Sequence, residues 1–362
     1  MKYVDEYRDA KKAKSLSAMI NAEAGRGRYK IMEVCGTHTA AIRRFGLKSL
    51  LAKNIELISG PGCPVCVTSD GYLRNTMSLL KNKNILLATY PDMLRVPVDS
   101  TSLEMERSRG ADIRAVNSAL EALDLAKTFP RREVVFLGVG FETTAPGTAI
   151  VLETAKKEKI DNFSVYSGHK TIPEALCALA QDKDLAINGF LLPGHVSAII
   201  GLSGYKPMMK RLKLPCVISG FEPLDILLSI YEIVKAVNRK EPILENEYKR
   251  IVEEGGNHKA MALLDKVFEK KDGFWRGLGM IKKSELVPKA AFAAFDAARR
   301  YVLKKESAAD TSRHSCLCAE VLKGKIEPPR CTFFSKSCTP QTPKGPCMVS
   351  REGTCRSFFE YR

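Results

Sequence analysis

Seven short apolar runs constrain the fold of this chain more than any other feature. They are YKIMEV (29–34), NIELIS (54–59), NILLATY (84–90), EVVFLGV (133–139), NFSVYS (162–167), NGFLLP (188–193) and PCVISG (215–220). All are apolar on both sides of the alternation, the pattern of strands covered by helices on both faces. Amphipathic stretches at about 39–52, 72–81, 112–128, 145–157, 171–181 and 223–239 lie between and after them. Strand alternating with helix predicts an α/β fold built on parallel sheet. Gly-Phe-Glu occurs twice, at 140–142 and 220–222, each time after a strand and before a helix, which hints at two similar α/β halves.

The chemically interesting words follow the strands directly. Cys35-Gly-Thr-His38 follows the first run and Gly60-Pro-Gly-Cys-Pro-Val-Cys66 the second. Gly138-Val-Gly-Phe-Glu-Thr-Thr-Ala-Pro146, Pro193-Gly-His-Val-Ser197 and Gly220-Phe-Glu-Pro223 follow the fourth, sixth and seventh. Ligands of open α/β sheets bind outside the carboxyl ends of the strands, so these loops are expected to face one cleft.

After about residue 240 the pattern is read as helical, through EPILENEYKRIVEEG, NHKAMALLDKVFEK and a further helix at about 288–305, with the only tryptophan in Phe274-Trp-Arg-Gly-Leu-Gly279. From Thr311 the character changes, and six of the eleven cysteines fall in the last 47 residues among prolines and glycines. So little apolar material needs a staple, and a metal centre would serve.

No long uncharged apolar run is present, so no transmembrane helix or membrane association is expected. The opening MKYVDEYRDAKKAKS is charged throughout and has no secretory apolar core. A cytoplasmic chain is expected, and eleven cysteines there point to metal or redox chemistry rather than to structural disulfides. The net charge of +16 raises nucleic acid as a partner. Its lysines and arginines are scattered, without an RNP, KH or helix-turn-helix pattern, which favours a solvated basic surface meeting an acidic protein.

Cys316, Cys318, Cys331, Cys338, Cys347 and Cys355 are spaced more widely than a ferredoxin run and lack the paired knuckles of a zinc ribbon. A 4Fe–4S cube needs four thiolates, and the residues alone leave open which four of the six; zinc and disulfides are the alternatives. Cys35 ends a strand, with Thr37 as expected N-cap of a helix starting near Thr39, so a thiolate of lowered pKa is expected. His38 is a second ligand, base or hydrogen-bond partner; the alternative is a half-buried cysteine beside a capping histidine. Cys63 and Cys66 suit a reversible disulfide or two bonds to one soft metal, and structural zinc would lack further ligands.

Gly138-Val-Gly140 with Thr143 and Thr144 reads as a tight strand–helix turn rather than a phosphate cradle. Glu142 and Glu222 sit on loops facing the expected cleft, where Glu142 would hold a proton or support a metal's ligands. His195 reads as a helix cap, and Cys177 and Cys216 as core packing.

Taken together, these words resemble the HypD family of hydrogenase maturation proteins. The resemblance lies in Met32-Glu-Val-Cys-Gly-Thr-His38 with Ala41-Ile-Arg43, in Gly60 to Cys66, and in Asp92-Met-Leu-Arg-Val-Pro97. It continues in Gly140-Phe-Glu-Thr-Thr-Ala-Pro146, Pro193-Gly-His-Val-Ser197 and Gly220-Phe-Glu-Pro-Leu-Asp225, then in Trp275-Arg-Gly-Leu-Gly279 and Cys347-Met-Val-Ser-Arg-Glu-Gly-Thr-Cys355. It runs nearly end to end. Pro91 before Asp92, Val98-Asp99 after Pro97, and Ile281-Lys-Lys-Ser-Glu-Leu286 depart from the family's usual wording without removing a cysteine or His38.

The resemblance implies two related parallel-sheet α/β domains, here at 1–130 with Cys35 and the Cys63/Cys66 loop and at 131–240. A helical and cysteine-rich 4Fe–4S domain at 241–362 would follow. The family's cluster pattern of 14, 6 and 16 intervening residues falls on Cys316, Cys331, Cys338 and Cys355, leaving Cys318 and Cys347 as a spare, nearby pair. The implied function is a scaffold for the Fe(CN)₂CO unit of nickel–iron hydrogenase, with a HypC-type partner sharing the iron and a HypE-type protein donating cyanide. Carried over by position, Cys35 is the leading ligand of a transient iron carrying CN and CO, Cys63 and Cys66 are further ligands or a dithiol, and His38 and Glu142 are additional site residues. A scaffold with a redox role is thus favoured over a turnover enzyme; the competing reading is a freestanding iron–sulfur thiol/disulfide oxidoreductase.

Overall fold

A computed structural model describes residues 4–306 and 316–361. All seven expected strands are present, and four more join them. In chain order these are β1 (Tyr29–Glu33), β2 (Ile55–Ser59), β3 (Ile85–Thr89), β4 (Ile113–Ala115), β5 (Glu133–Gly140), β6 (Phe163–His169), β7 (Gly189–Pro193), β8 (Cys216–Ser219), β9 (Leu244–Asn246), β10 (Phe268–Trp275) and β11 (Gly279–Pro288). One five-stranded sheet has the order β2-β1-β7-β8-β9 and a four-stranded sheet the order β4-β3-β5-β6, with β10 and β11 forming a separate hairpin. Every pairing within the two larger sheets is parallel. The α/β class with parallel sheets follows from the sequence pattern.

The sheets do not follow a division at residue 130. Ile31 in β1 pairs with Leu57 on one side and with Gly189 on the other, so the first sheet is assembled from both ends of the α/β region. The whole second sheet, β3 to β6, lies in sequence between β2 and β7. Local periodicity reports that a segment is a strand and is silent about its neighbour.

Other boundaries shift for identifiable reasons. The stretch expected to be one helix at about 39–52 ends at Arg44, because Gly46 turns the chain with a φ of 63° before a short 3₁₀ turn, Leu47–Leu50. The stretch at about 112–128 opens as β4, and its helix starts only at Ala119, where the Ser118 hydroxyl accepts the Glu121 N–H. EPILENEYKRIVEEG yields the edge strand β9 rather than a helix, and NHKAMALLDKVFEK changes at Val267 from helix His258–Val267 into β10. The helix expected at about 288–305 is reduced to the 3₁₀ turns of Ala290–Phe295 and the short helix Ala297–Arg300. Between them buried Asp296 accepts the Ala298 N–H with its side chain and starts the second piece afresh. The composition change at Thr311 lies outside the described residues.

One hydrophobic core joins the inner faces of the sheets, with Met32, Ile58, Phe190 and Ile218 from the first and Leu87, Val135 and Leu137 from the second. The outer face of the first sheet is covered by helices Ala10–Ala24 and Pro223–Arg239, and a third core backs the second sheet. No helix among the described residues is long and apolar enough to cross a membrane.

Candidate functional site

In the first sheet β1 leads to β2 on one side, and β7 joins it on the other. The crevice between β1 and β7 is therefore a topological switch point, where the loops after neighbouring strands diverge and leave room for a ligand. The loops meeting there carry Cys35 to His38 and Gly194-His195, with Gly220 to Glu222 after the adjacent β8. In the second sheet the same logic selects the loops after β3 and β5, which carry Asp92 and Glu142.

Cys35 itself, not Thr37, is the N-cap of the helix Gly36–Arg44. The Thr37 and His38 N–H groups at the start of that helix favour the thiolate, as a helix N-terminus should, although neither forms a capping hydrogen bond to the sulfur. Even so, burial dominates and pushes the thiol up to about 12, with nearby Glu352 adding to the rise. The lowered pKa expected from the helix start is thus not found for the free thiol. A cation bound at sulfur would reverse the balance, since a coordinating thiol is deprotonated outright.

Glycines let three segments close around this sulfur. A side chain on Gly62 would put its Cβ 2.3 Å from the Cys35 nitrogen, and one on Gly36 would come 2.1 Å from the Glu352 carbonyl oxygen. The C-terminal segment is thereby seated on the Cys35 loop, where Glu352 lies near Thr37 and Asp92. The Ser350 hydroxyl donates to Asp92 at 2.7 Å.

Cys63 and Cys66 are joined as a disulfide, with Cα atoms 5.2 Å apart, and are 3% and 0% exposed. The Cys66 N–H also donates to the Cys63 sulfur at 3.2 Å. Of the two chemistries open to this motif, the structure holds the oxidised form, which must be reduced before either sulfur can bind a metal.

His38 is fully buried. Its Nε2 donates to the Gly220 carbonyl at 2.9 Å and approaches that of Ser219 at 3.3 Å, tying the loop after β1 to the loop after β8. Carbonyls only accept, so Nε2 carries the proton and Nδ1 keeps its lone pair, without a partner among the described residues. Burial lowers its pKa to about 4, so the ring is neutral at ordinary pH. His195 stacks on Phe221 with ring centroids 4.1 Å apart, while Pro193 caps the helix Gly194–Ile200, so its expected capping role is not met.

Glu142 is buried, accepts the Ile172 N–H at 3.0 Å through Oε1, and has no partner for Oε2 among the described residues. Burial pushes it up to about 7. Glu142, Cys216 and Cys35 all act electrostatically on the buried Tyr205 hydroxyl, which places residues from both sheets around one interior region. Glu222, by contrast, does not serve the cleft. It caps the helix Pro223–Arg239 in a capping box with Asp225 and pairs with Arg8 at 2.9 Å.

Two buried groups escaped the sequence reading. Glu33, the last residue of β1, accepts the Cys35 N–H at 3.1 Å and the Thr39 hydroxyl, and burial pushes it up to about 8. A lone carboxyl at the end of an apolar strand was the available signal. His169 ends β6, bonds Thr148 through Nε2 at 2.9 Å and is lowered to about 3 by burial; nothing in its local sequence marks it.

At the C-terminal end, sulfur contacts run in series from Cys316 to Cys318, from Cys318 to Cys347 and from Cys347 to Cys355. Cys338 lies near Cys316 and Cys331. Cys318 and Cys347 therefore stand between two of the four cysteines that the spacing pattern selects. No three His, Cys, Asp or Glu groups among the described residues are arranged to hold a metal ion. The donor set of six thiols still has the chemistry of a soft metal centre.

Fold and site define a protein of two interleaved α/β sheets that seats a buried thiol at a switch point beside a Cys-x-x-Cys disulfide, with a thiol-rich C-terminal cap. The HypD family model, described as hydrogenase formation hypA family, matches residues 11–362. The chain is 44% identical over 369 residues to hydrogenase maturation factor HypD of Azotobacter vinelandii, covering 100% of this chain and 97% of that one. It is 42% identical to HypD of Cupriavidus necator, again over 100% and 97%. With HypD of Escherichia coli K12 the identity is 39%, over 100% and 98%. The chain belongs to the HypD family of hydrogenase maturation factors.

Proposed function

We propose that within hydrogenase maturation this chain is the scaffold on which the Fe(CN)₂CO unit of nickel–iron hydrogenase is assembled and from which it is passed on. The observation that carries this reading is the setting of Cys35: a thiol at a helix N-terminus, at a switch point, and against the Cys63–Cys66 loop. Its high pKa suits a cargo site, because the free thiol is inert and becomes a thiolate ligand only when iron arrives. A cysteine of a HypC-type partner completes the iron's coordination, and a HypE-type protein supplies cyanide.

Cys63 and Cys66 act as a dithiol, and opening their disulfide consumes two electrons and two protons. Cys316, Cys331, Cys338 and Cys355 would hold a 4Fe–4S cluster, whose chemistry is the supply of single electrons. The burial of Cys63 and Cys66 weighs against a freestanding oxidoreductase, since a protein disulfide has no route of attack on either sulfur.

Anaerobic co-purification with the HypC-type partner, in the presence of the other maturation factors, tests the assignment by infrared spectroscopy. CN and CO stretches are expected in the complex and absent with Cys35→Ser. A complex without them overturns the scaffold reading, and loading that survives Cys63→Ser with Cys66→Ser overturns the dithiol role.

A further inference from the structure

A cavity of about 270 Å³ lies between the β1–β2 edge of the first sheet, the helix Gly36–Arg44 and the C-terminal segments at 321–330 and 354–358. It is separate from the crevice between β1 and β7. Its apolar wall includes Ile42, Leu57, Ile58 and Phe358. Its volume falls below the roughly 300 Å³ at which pockets for drug-sized ligands begin, so an occupant must be small.

The cations around this cavity are of two kinds. Lys48 is paired with Glu327 at 2.6 Å, and Lys325 with Asp182 at 3.1 Å. Arg43 and Arg330 also line the cavity, and neither has an ion-pair partner among the described residues. Arg43 is fixed in place, with its guanidinium 3.7 Å from the Phe358 ring centre and its Nε donating to the Tyr361 carbonyl at 3.2 Å. That leaves its terminal nitrogens without a hydrogen-bond partner among the described residues. A planar, immobilised guanidinium facing a cavity with one apolar wall is the arrangement that recognises a carboxylate or phosphate through two parallel hydrogen bonds. Glu33 lines the cavity along with Glu56 and Glu327, and the Glu33 carboxyl also accepts the Cys35 N–H.

We propose that this cavity is a binding site for a small organic oxyanion, a single carboxylate or phosphate on a compact apolar body, held by Arg43 and Arg330. Its apolar body packs against Ile42, Leu57 and Ile58. Its position against Glu33 puts it one hydrogen bond from the backbone of Cys35.

Calorimetric titration of the full-length protein with phenyl phosphate and with phenylacetate tests the site without iron or any partner, so its failure is distinct from failure of the scaffold reading. Saturable one-to-one binding of at least one probe is expected, and the tighter probe identifies the headgroup. Arg330→Ala, an exposed position, and Arg43→Lys, which keeps the charge and loses the fork, should each weaken binding at least tenfold. Lys213→Ala, beside a different cavity, should leave it unchanged. Absence of saturable binding by either probe overturns the proposal, as does binding that both arginine variants retain, provided their circular dichroism matches the parent.

Discussion

Cys35 sits at a helix N-terminus whose N–H groups favour its thiolate, and its thiol still rises to about 12 because the sulfur is out of water. A helix terminus is worth up to about 2 kcal/mol in partly buried settings, whereas burying a charge without a counterion costs several. Glu142 shows the same hierarchy and allows a direct test. Its carboxyl is raised from 4.5 to about 7, chiefly by burial. The folded chain keeps a proton that the unfolded chain releases as pH rises through 4.5 to 7. Stability therefore falls across that window and levels off above it. Glu142→Gln removes the ionisation. In urea unfolding the variant should gain about 1–3 kcal/mol over the parent at pH 8 relative to the difference at pH 4. A difference that is the same at both pH values would show that burial does not govern this carboxyl.

At the scale of elements, the strands that the sequence announces are those buried on both faces, such as β3, β5 and β7, where every or nearly every position is apolar. The missed strands have physical reasons to be quiet. β4 and β9 are three-residue edges, too short to show a period, and β10 is a hairpin arm whose Glu269, Lys270 and Lys271 leave no apolar run. Within the candidate site, the placement of Cys35, Cys63 and Cys66 just after strands was legible in the sequence, whereas the hydrogen bonds of His38 to the loop after β8 depend on strand order, which no local pattern encodes. Glu222 was read as a cleft residue because capping glutamates and functional ones look alike in sequence. Its helix rests on Asp225, which accepts the Glu222 N–H and pairs with Arg250 through bonds of 2.6 and 2.7 Å. Asp225→Ala should cost about 3–5 kcal/mol in thermal or urea unfolding, because it strips the cap and leaves Arg250 unpaired. In the C-terminal element the expected ligands can be separated from the spare pair. After anaerobic reconstitution, Cys316→Ser, Cys331→Ser, Cys338→Ser and Cys355→Ser should each lose iron and sulfide, while Cys318→Ser and Cys347→Ser should keep about four irons per chain. Loss of iron from Cys318→Ser or Cys347→Ser would reassign the cluster to the contact series.

At the scale of the whole molecule, the β10–β11 hairpin ties loops of the two sheets together. Trp275, fully buried on β10, stacks on Phe141 of the loop after β5 and donates Nε1–H to Ser284 on β11 at 2.8 Å. The next residue turns the other way: the Arg276 N–H donates to Val67 at 2.8 Å, its Nε to the Thr68 carbonyl at 3.0 Å, and its guanidinium pairs with Asp70. From the opposite arm, Glu285 pairs with Lys170 at 2.8 Å and the Ser284 carbonyl accepts the Thr171 N–H at 2.9 Å. The chain after β2 and the chain after β6 are thus fastened to one hairpin. Because the second sheet is also inserted within the first and shares its core, neither sheet can lose its packing while the other keeps all of its own. Trp275 is the only tryptophan, so its fluorescence reports this junction alone. In urea, its transition should coincide with that of far-ultraviolet circular dichroism, with one midpoint for both. Phe141→Ala should move both midpoints down together, with a loss of about 3–5 kcal/mol for a buried aromatic. A tryptophan transition that precedes the loss of secondary structure would instead mean that the hairpin detaches first and that the sheets are stable without it.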